Sequence, residues 1–212
     1  MMRIGEICSL IDPCKTFADI GCDHGYCTEE VLKSGKANSA IIADVSKKSL
    51  QKAETLLADY VKAGVVRSVC CDGLAEIPPD TDQILIAGMG GMEIIKILKE
   101  GFIPRKFVFQ PMKNAPALRG FLLQNGCKIV KDDVFFDGNY YFVIKGEREG
   151  GTKPYLPLET EFGRHSLINP VFKDYAQAEL AKKLGYLEGV KEGGNADKMK
   201  REIQFLMEAL EC

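Results

Sequence analysis

Ten residues, Phe17 to Tyr26 (Phe-Ala-Asp-Ile-Gly-Cys-Asp-His-Gly-Tyr), constrain this chain more than any other stretch. A short apolar run ends in Asp19, and Gly21 and Gly25 then precede a helix-like segment, which reads as a first strand turning sharply into a first helix. Glycines at such a turn let backbone approach a ligand without obstruction, and the N–H groups of the helix start face whatever lies there. The dinucleotide fingerprint needs a glycine where this chain has Asp23. Acidic side chains in the loop would repel a pyrophosphate but suit a donor that carries an ammonium and no phosphate. The loop therefore points to S-adenosyl-L-methionine.

The rest of the first 150 residues repeats a strand-and-helix rhythm. Residues 3 to 15 read as a short amphipathic helix with Ile4, Ile7, Cys8 and Ile11 on one face, packing on the sheet or lidding the cofactor. Strands are expected at Ser39 to Asp44, Val65 to Cys71, Asp82 to Ala87 and Phe107 to Phe109. Between them fall a helix from Cys27 to Lys33, one capped by Ser46 with Leu50, Ala53, Leu57 and Val61 on one face, and one opened by Gly88 to Gly91. A further helix starts at Asn114 and Pro116 and ends at Gly126. This alternation argues a doubly wound parallel sheet with right-handed crossovers. Lys128 to Phe136 and Tyr140 to Lys145 are joined only by Asp137, Gly138 and Asn139, a connection that permits only an antiparallel hairpin. Residues 1–150 are thus expected to form a Rossmann-like α/β sheet, parallel with a terminal antiparallel hairpin.

From Glu147 to Leu158 the chain is rich in glycine, proline and charge, as a linker is. Beyond it, Phe172, Ala176, Leu180, Leu184 and Leu187, then Met199, Ile203, Leu206 and Leu210, fall near helical spacing around a Gly193-Gly194 break, with Asn195 as a cap. Residues 151–212 are expected to form a coiled-coil-like helical hairpin projecting from the first domain.

In an open α/β sheet, ligands bind beyond the carboxyl ends of the strands. There the sequence sets Asp19, Gly21, Asp23, His24, Gly25 and Tyr26 on the first loop. Asp44 and Val45 follow the second strand, Asp72, Gly73 and Leu74 the third, and Gly88, Met89 and Gly90 the fourth. Asp44 stands 23 residues after Gly21, the range of a carboxylate that takes ribose hydroxyls. Asp72 can accept from an adenine amine. Each carboxylate alone also reads as a helix or turn cap, but four such strand ends together are hard to attribute to packing.

Charge and cysteine usage narrow the class. The chain has net charge −2, which gives no global support for nucleic-acid binding, yet Lys96, Lys99, Arg105, Lys106, Lys113 and Arg119 face only Glu100 in their stretch. That run reads either as a solvated face or as a phosphate-binding patch. Eight cysteines without C-x-x-C spacing fit a reducing compartment, with Cys8, Cys70, Cys71 and Cys127 as small buried hydrophobes. No window resembles a membrane span or a signal peptide, so a cytoplasmic chain is expected. Cys22, His24 and Cys27 mimic zinc ligands but lack a fourth, so no metal is expected. His24 reads either as a general base or as a loop-fixing or cofactor-carboxylate contact; Gln110 and Tyr26 are candidates for a base pocket.

Ala18 to Tyr26, Ala43-Asp44-Val45, Cys71 to Leu74, Ile86 to Gly91 and Phe109 to Met112 resemble the bacterial TrmK family of tRNA (adenine-22-N1)-methyltransferases. The resemblance runs from about Arg3 to Lys145, and Leu158 to Gly163 with the helical tail resembles the family's C-terminal part. The chain departs from the family pattern at Cys27 and Thr28, where Leu-Pro is usual, and at Met112, where Asn is common. The resemblance implies a class I methyltransferase that transfers a methyl group from S-adenosylmethionine to N1 of an adenine in tRNA. It also implies RNA held through Lys99, Arg105, Lys106, Lys113 and Arg119. In-line transfer to a ring nitrogen needs no catalytic triad and none is apparent, so no catalytic residue is assigned, His24 and Gln110 being the candidates, and a monomer is expected. A methyltransferase on another substrate, or a cofactor- or RNA-binding module without turnover, are the competing readings.

Overall fold

The computed structural model describes residues 2–151, 153–187 and 194–211. Seven strands form one sheet in the order β3-β2-β1-β4-β5-β7-β6: β1 (Cys14–Ile20), β2 (Ala37–Ala43), β3 (Val66–Val69), β4 (Gln83–Met89), β5 (Lys106–Pro111), β6 (Lys128–Phe136) and β7 (Tyr140–Glu147). The first five are parallel, and β7 runs against both β5 and β6. The order reverses between β1 and β4, which opens a crevice at their carboxyl ends.

The central strands are apolar on both faces because helices cover both. Over one face lie α1 (Met2–Ser9), α2 (Tyr26–Lys33), α3 (Lys47–Leu56) and α4 (Ala58–Lys62), enclosing Ile7, Phe17, Ile42, Leu50, Leu85 and Val108. Over the other lie α5 (Gly91–Glu100) and α6 (Ala115–Gln124), enclosing Ile86, Ile94, Phe107, Phe109 and Leu118. Ser46 caps α3 as expected, its hydroxyl accepting the Ser49 N–H at 3.2 Å.

Several boundaries differ from the sequence reading. The N-terminal helix stops at Ser9 and β1 already begins at Cys14, because Pro13 cannot continue the helix. The helix after Ser46 divides at Leu57, although Leu57 N–H still reaches Ala53 O and Val61 N–H still reaches Leu57 O, both at 2.9 Å. Cys70 is exposed, while Cys8, Cys71 and Cys127 are buried.

The C-terminal helices are α7 (Pro157–Phe162), then, after a 3-10 turn at Ser166–Ile168, α8 (Pro170–Leu187) and α9 (Gly194–Glu211). The helical hairpin does not simply project. Its base is docked on β6 and β7: Phe172, Ala176 and Leu206 form a third core with Val134 and Phe162, and Tyr175 sits edge-on to Tyr140 and Phe142. Beyond Ala176 no residue of α8 is buried, so its distal part stands away from the sheet. Gly193 and the Asn195 side chain fall outside the described residues; α9 already begins at Gly194, so Asn195 lies within its first turn rather than capping it. No described helix is long and apolar enough to cross a membrane.

Candidate active site

The crevice at the switch point is floored by the β1–α2 loop. Gly21 (φ 71°) and Gly25 (φ 77°) take the left-handed backbone, and so does Asp23 (φ 46°), the strained position between them. The two glycines do different things. A Cβ at Gly21 would lie 2.1 Å from Met89 Cε, so the absence of a side chain lets the Met89 thioether cross the loop. A Cβ at Gly25 would meet Ala53 Cβ at 3.0 Å and Leu57 Cδ1 at 3.2 Å, so that glycine serves the close packing of α2 against α3 rather than a ligand.

Two cavities meet at Gly21. The first, about 320 Å³, is lined by Gly21, Asp44, Val45, Asp72, Gly73 and Met89, together with Glu93 and Lys96 of α5. Asp44 is oriented by backbone donors: Ser46 N–H gives to Oδ1 at 2.8 Å and Asp23 N–H to Oδ2 at 3.3 Å. A carboxylate fixed at the end of β2, an exposed Asp72 and an apolar wall from Val45 and Ile97 combine hydrogen-bond acceptors with an apolar face, an arrangement that suits a nucleoside. The second cavity, about 310 Å³, is lined by Asp19, Gly21, Asp23, His24, Tyr26 and Ala87, with Arg3, Ile4 and Ile7 of α1 and Asp137 of the β6–β7 turn.

Asp19 is 4% exposed, and its carboxylate accepts the Thr28 hydroxyl at 2.9 Å. Burial pushes its pKa up to about 6; the hydrogen bonds from Thr28 work against that rise and the nearby Asp44 charge adds to it. Thr28 stands at a departure from the family pattern noted above, where a proline would have no hydroxyl to give. His24 stacks on Tyr26, with ring centroids 5.5 Å apart, and its Nε2 lies 3.5 Å from Lys52 Nζ and 3.8 Å from Asp23. Gln110 is fully buried at the end of β5, in register with Ala87; its Nε2 donates to the Met112 sulfur at 3.5 Å, and its Oε1 has no hydrogen-bond partner.

Other expected residues lie elsewhere. Leu74 belongs to the core beneath Gly101 and lines neither cavity. Gly88 and Gly90 flank the second cavity and α5: their missing Cβ positions face Arg3 Nη2 at 3.3 Å and Lys113 Cε at 3.1 Å. The basic run does not form one patch. Arg105 and Lys106 precede β5 or begin it, at the end of the sheet opposite the crevice, and Lys106 Nζ pairs with Asp12 at 3.5 Å. Lys99 is on the last turn of α5 over the Phe121 ring. Lys113 alone of the five follows the crevice end of β5.

Arg119 corrects the sequence reading most sharply. It is fully buried and cannot touch RNA: Nε pairs with both Asp132 oxygens at 2.9 and 2.8 Å, while Nη1 and Nη2 donate to Glu161 O at 2.7 Å and Phe162 O at 3.2 Å. The run of positive charge could not separate a solvated cation from a buried clamp on α7. Sequence reasoning did not single out Arg3, Asp137 or Glu93, and it placed Lys96 in the basic run whereas the structure sets it at the first cavity, one helical turn from Glu93 on α5; nothing local marks Arg3 or Asp137. Among the described residues no group of three or more His, Cys, Asp or Glu side chains could hold a metal ion.

This geometry agrees with what the chain resembles. Residues 1–144 match the methyltransferase-domain family. A Mycoplasma pneumoniae protein bearing the name of a tRNA methyltransferase is 31% identical over 79% of this chain and 80% of its own length. The tRNA (adenine(22)-N(1))-methyltransferase of Bacillus subtilis is 25% identical over 99% of this chain and 93% of its own. The structure of M. capricolum TrmK with S-adenosyl-homocysteine superposes with a TM-score of 0.88 at 20% identity, covering 100% of this chain and 97% of that one. On the family match, the shared sequence and the common fold, the chain belongs to the methyltransferase-domain family and, within it, to the TrmK family.

Proposed function

We propose that this protein transfers a methyl group from S-adenosyl-L-methionine to N1 of adenine 22 in tRNA. The observation that carries the reading is the crevice at the β1/β4 switch point, where a nucleoside cavity and a second, charged cavity meet at Gly21. The bound donor would supply an electrophilic methyl group. Asp44 would take its ribose hydroxyls, Asp72 its adenine amine, and Val45 and Met89 the faces of its rings. Asp19, Asp23 and His24 would surround the amino-acid end.

Adenine N1 carries an in-plane lone pair, so the chain's task is to place that nitrogen in line with the methyl group rather than to build a nucleophile. Tyr26, exposed at the second cavity, is the side chain proposed to hold the base; Gln110 is fully buried behind Met112 and lines neither cavity, so its Oε1 would reach the base only if Met112 moved aside. The base must leave the tRNA stack to reach Tyr26. Lys113, at the crevice end of β5, is the cation best placed to meet the RNA backbone beside that base. Residues 1–150 would carry the transfer and residues 151–212 would help to hold the RNA, in a monomeric, cytoplasmic enzyme that needs no metal.

Labelled donor offered with unmodified tRNA transcripts, with and without an adenine at position 22, tests the reading. Adenine-dependent appearance of 1-methyladenosine is the expected result, and Asp44→Ala should abolish it. Donor binding without incorporation into either transcript would transfer the activity to another acceptor.

A further inference from the structure

Helix α1 brings a cation into the crevice that no motif marks. Arg3 lines the cavity beside Asp19 and Gly21. Its backbone N–H donates to Asp137 Oδ2 at 2.8 Å, which ties the start of α1 to the β6–β7 turn. Its guanidinium carbon lies 4.9 Å from the centre of the Tyr141 ring, and Nη2 lies 3.3 Å from where a Cβ on Gly88 would be. The side chain is therefore held between β7 and the end of β4 by a stacked ring and a missing side chain.

Half-buried as it is, the guanidinium forms no ion pair among the described residues. A partly desolvated guanidinium without an anion is costly to keep unless a ligand completes it. Among its described lining residues the cavity holds one guanidinium, Arg3, and three carboxylates: Asp19, which is buried, Asp137, which takes the Arg3 backbone N–H, and Asp23, which is exposed on the β1–α2 loop. A cation and a carboxylate across one small cavity complement a zwitterion, and the planar fork of arginine matches a carboxylate with two parallel hydrogen bonds.

We propose that Arg3 receives the α-carboxylate of the donor's amino-acid end while Asp19 faces its ammonium, so that α1 selects a donor carrying an intact amino acid. This rests on the donor reading above. It makes the N-terminal helix part of the binding site rather than packing alone, and it separates the two ends of the donor at Gly21, nucleoside on one side and zwitterion on the other.

The test is calorimetric binding of S-adenosylmethionine and of decarboxylated S-adenosylmethionine, which keeps the nucleoside, sulfonium and amine, to the full chain and to Arg3→Gln and Arg3→Lys. The unsubstituted chain should prefer the carboxylated donor by about tenfold or more, the scale of a charge-assisted pair. Arg3→Gln should bind the decarboxylated compound within about twofold of the unsubstituted chain and lose the preference, whereas Arg3→Lys, with the charge but not the fork, should keep part of it. A preference that survives in Arg3→Gln would overturn the proposal, and so would equal weakening toward both compounds, which would leave Arg3 only a support for α1. Loss of tRNA affinity with donor preference intact would place the guanidinium against RNA and also overturn it. If the unsubstituted chain bound neither compound, the donor reading would fall and the proposal with it, and that result would be visible before any substitution is made.

Discussion

Asp19, proposed above to face the donor's ammonium, is a buried carboxylate that costs the donor-free protein stability. Its pKa is raised from 3.8 to about 6, so the folded chain holds the proton more tightly than the unfolded chain does. The native state then loses stability as pH rises from about 4 to about 6, and the loss stays constant above that range. Asp19→Asn removes the buried charge, and the donor-free variant should be more stable than the unsubstituted chain by up to about 3 kcal/mol at pH 7.5. Urea unfolding of both proteins from pH 4 to pH 8 checks this: the gap should open between pH 4 and 6 and then level off, and a pH-independent gap would rule out titration of Asp19. Donor affinity should run the other way, falling as pH drops through about 6 because the protonated carboxyl no longer attracts an ammonium. Thr28→Val removes the hydroxyl that opposes the rise, so both transitions should move to higher pH.

At the scale of elements, the two ends of β5 make opposite statements about RNA. Lys106 begins the strand and is engaged with Asp12, which Lys145 also binds at 2.6 Å, whereas Lys113 follows the strand and packs against Gly90 at the crevice. Lys113→Glu should weaken tRNA binding about tenfold and lower its salt dependence, while Lys106→Gln should leave it within about twofold. Filter binding across a salt series measures both, and equal effects would refute the division of the basic run. That division was invisible in the sequence, because a list of charges carries no direction along a strand. What was legible came from periodicity and from glycine: the five parallel strands, the hairpin from Lys128, the Ser46 cap and the carboxylates at strand ends are local patterns. Arg3, Asp137 and the burial of Arg119 depend on contacts between residues tens of positions apart or more, as with Arg119 and Glu161 or Arg3 and Asp137, and no local pattern encodes them.

At the scale of the whole molecule, Arg119 decides how separable the C-terminal helices are. Its guanidinium satisfies Asp132 on the sheet and the last carbonyls of α7 at once, and the Phe142 ring covers it at 5.2 Å. Breaking one side of a buried pair leaves an uncompensated charge, so Arg119→Met should cost roughly 3–5 kcal/mol, more than a simultaneous Arg119→Met and Asp132→Leu replacement. Removing residues 151–212 should be worse than either. It strips the carbonyls from Arg119 and uncovers Val134, Tyr140 and Phe142, which now pack under Phe162, Phe172 and Tyr175. Calorimetry of the truncated chain should therefore show a clearly lower melting temperature, with loss of donor binding following from instability of β6 and β7 rather than from loss of a donor contact. A truncated chain that melted as the full chain does would show that the extension is merely appended. Because the base of the hairpin is structural, the part proposed for it in holding RNA is tested on the distal surfaces of α8 and α9, where exposed lysines and arginines can be neutralised while the docked core around Phe172 stays intact.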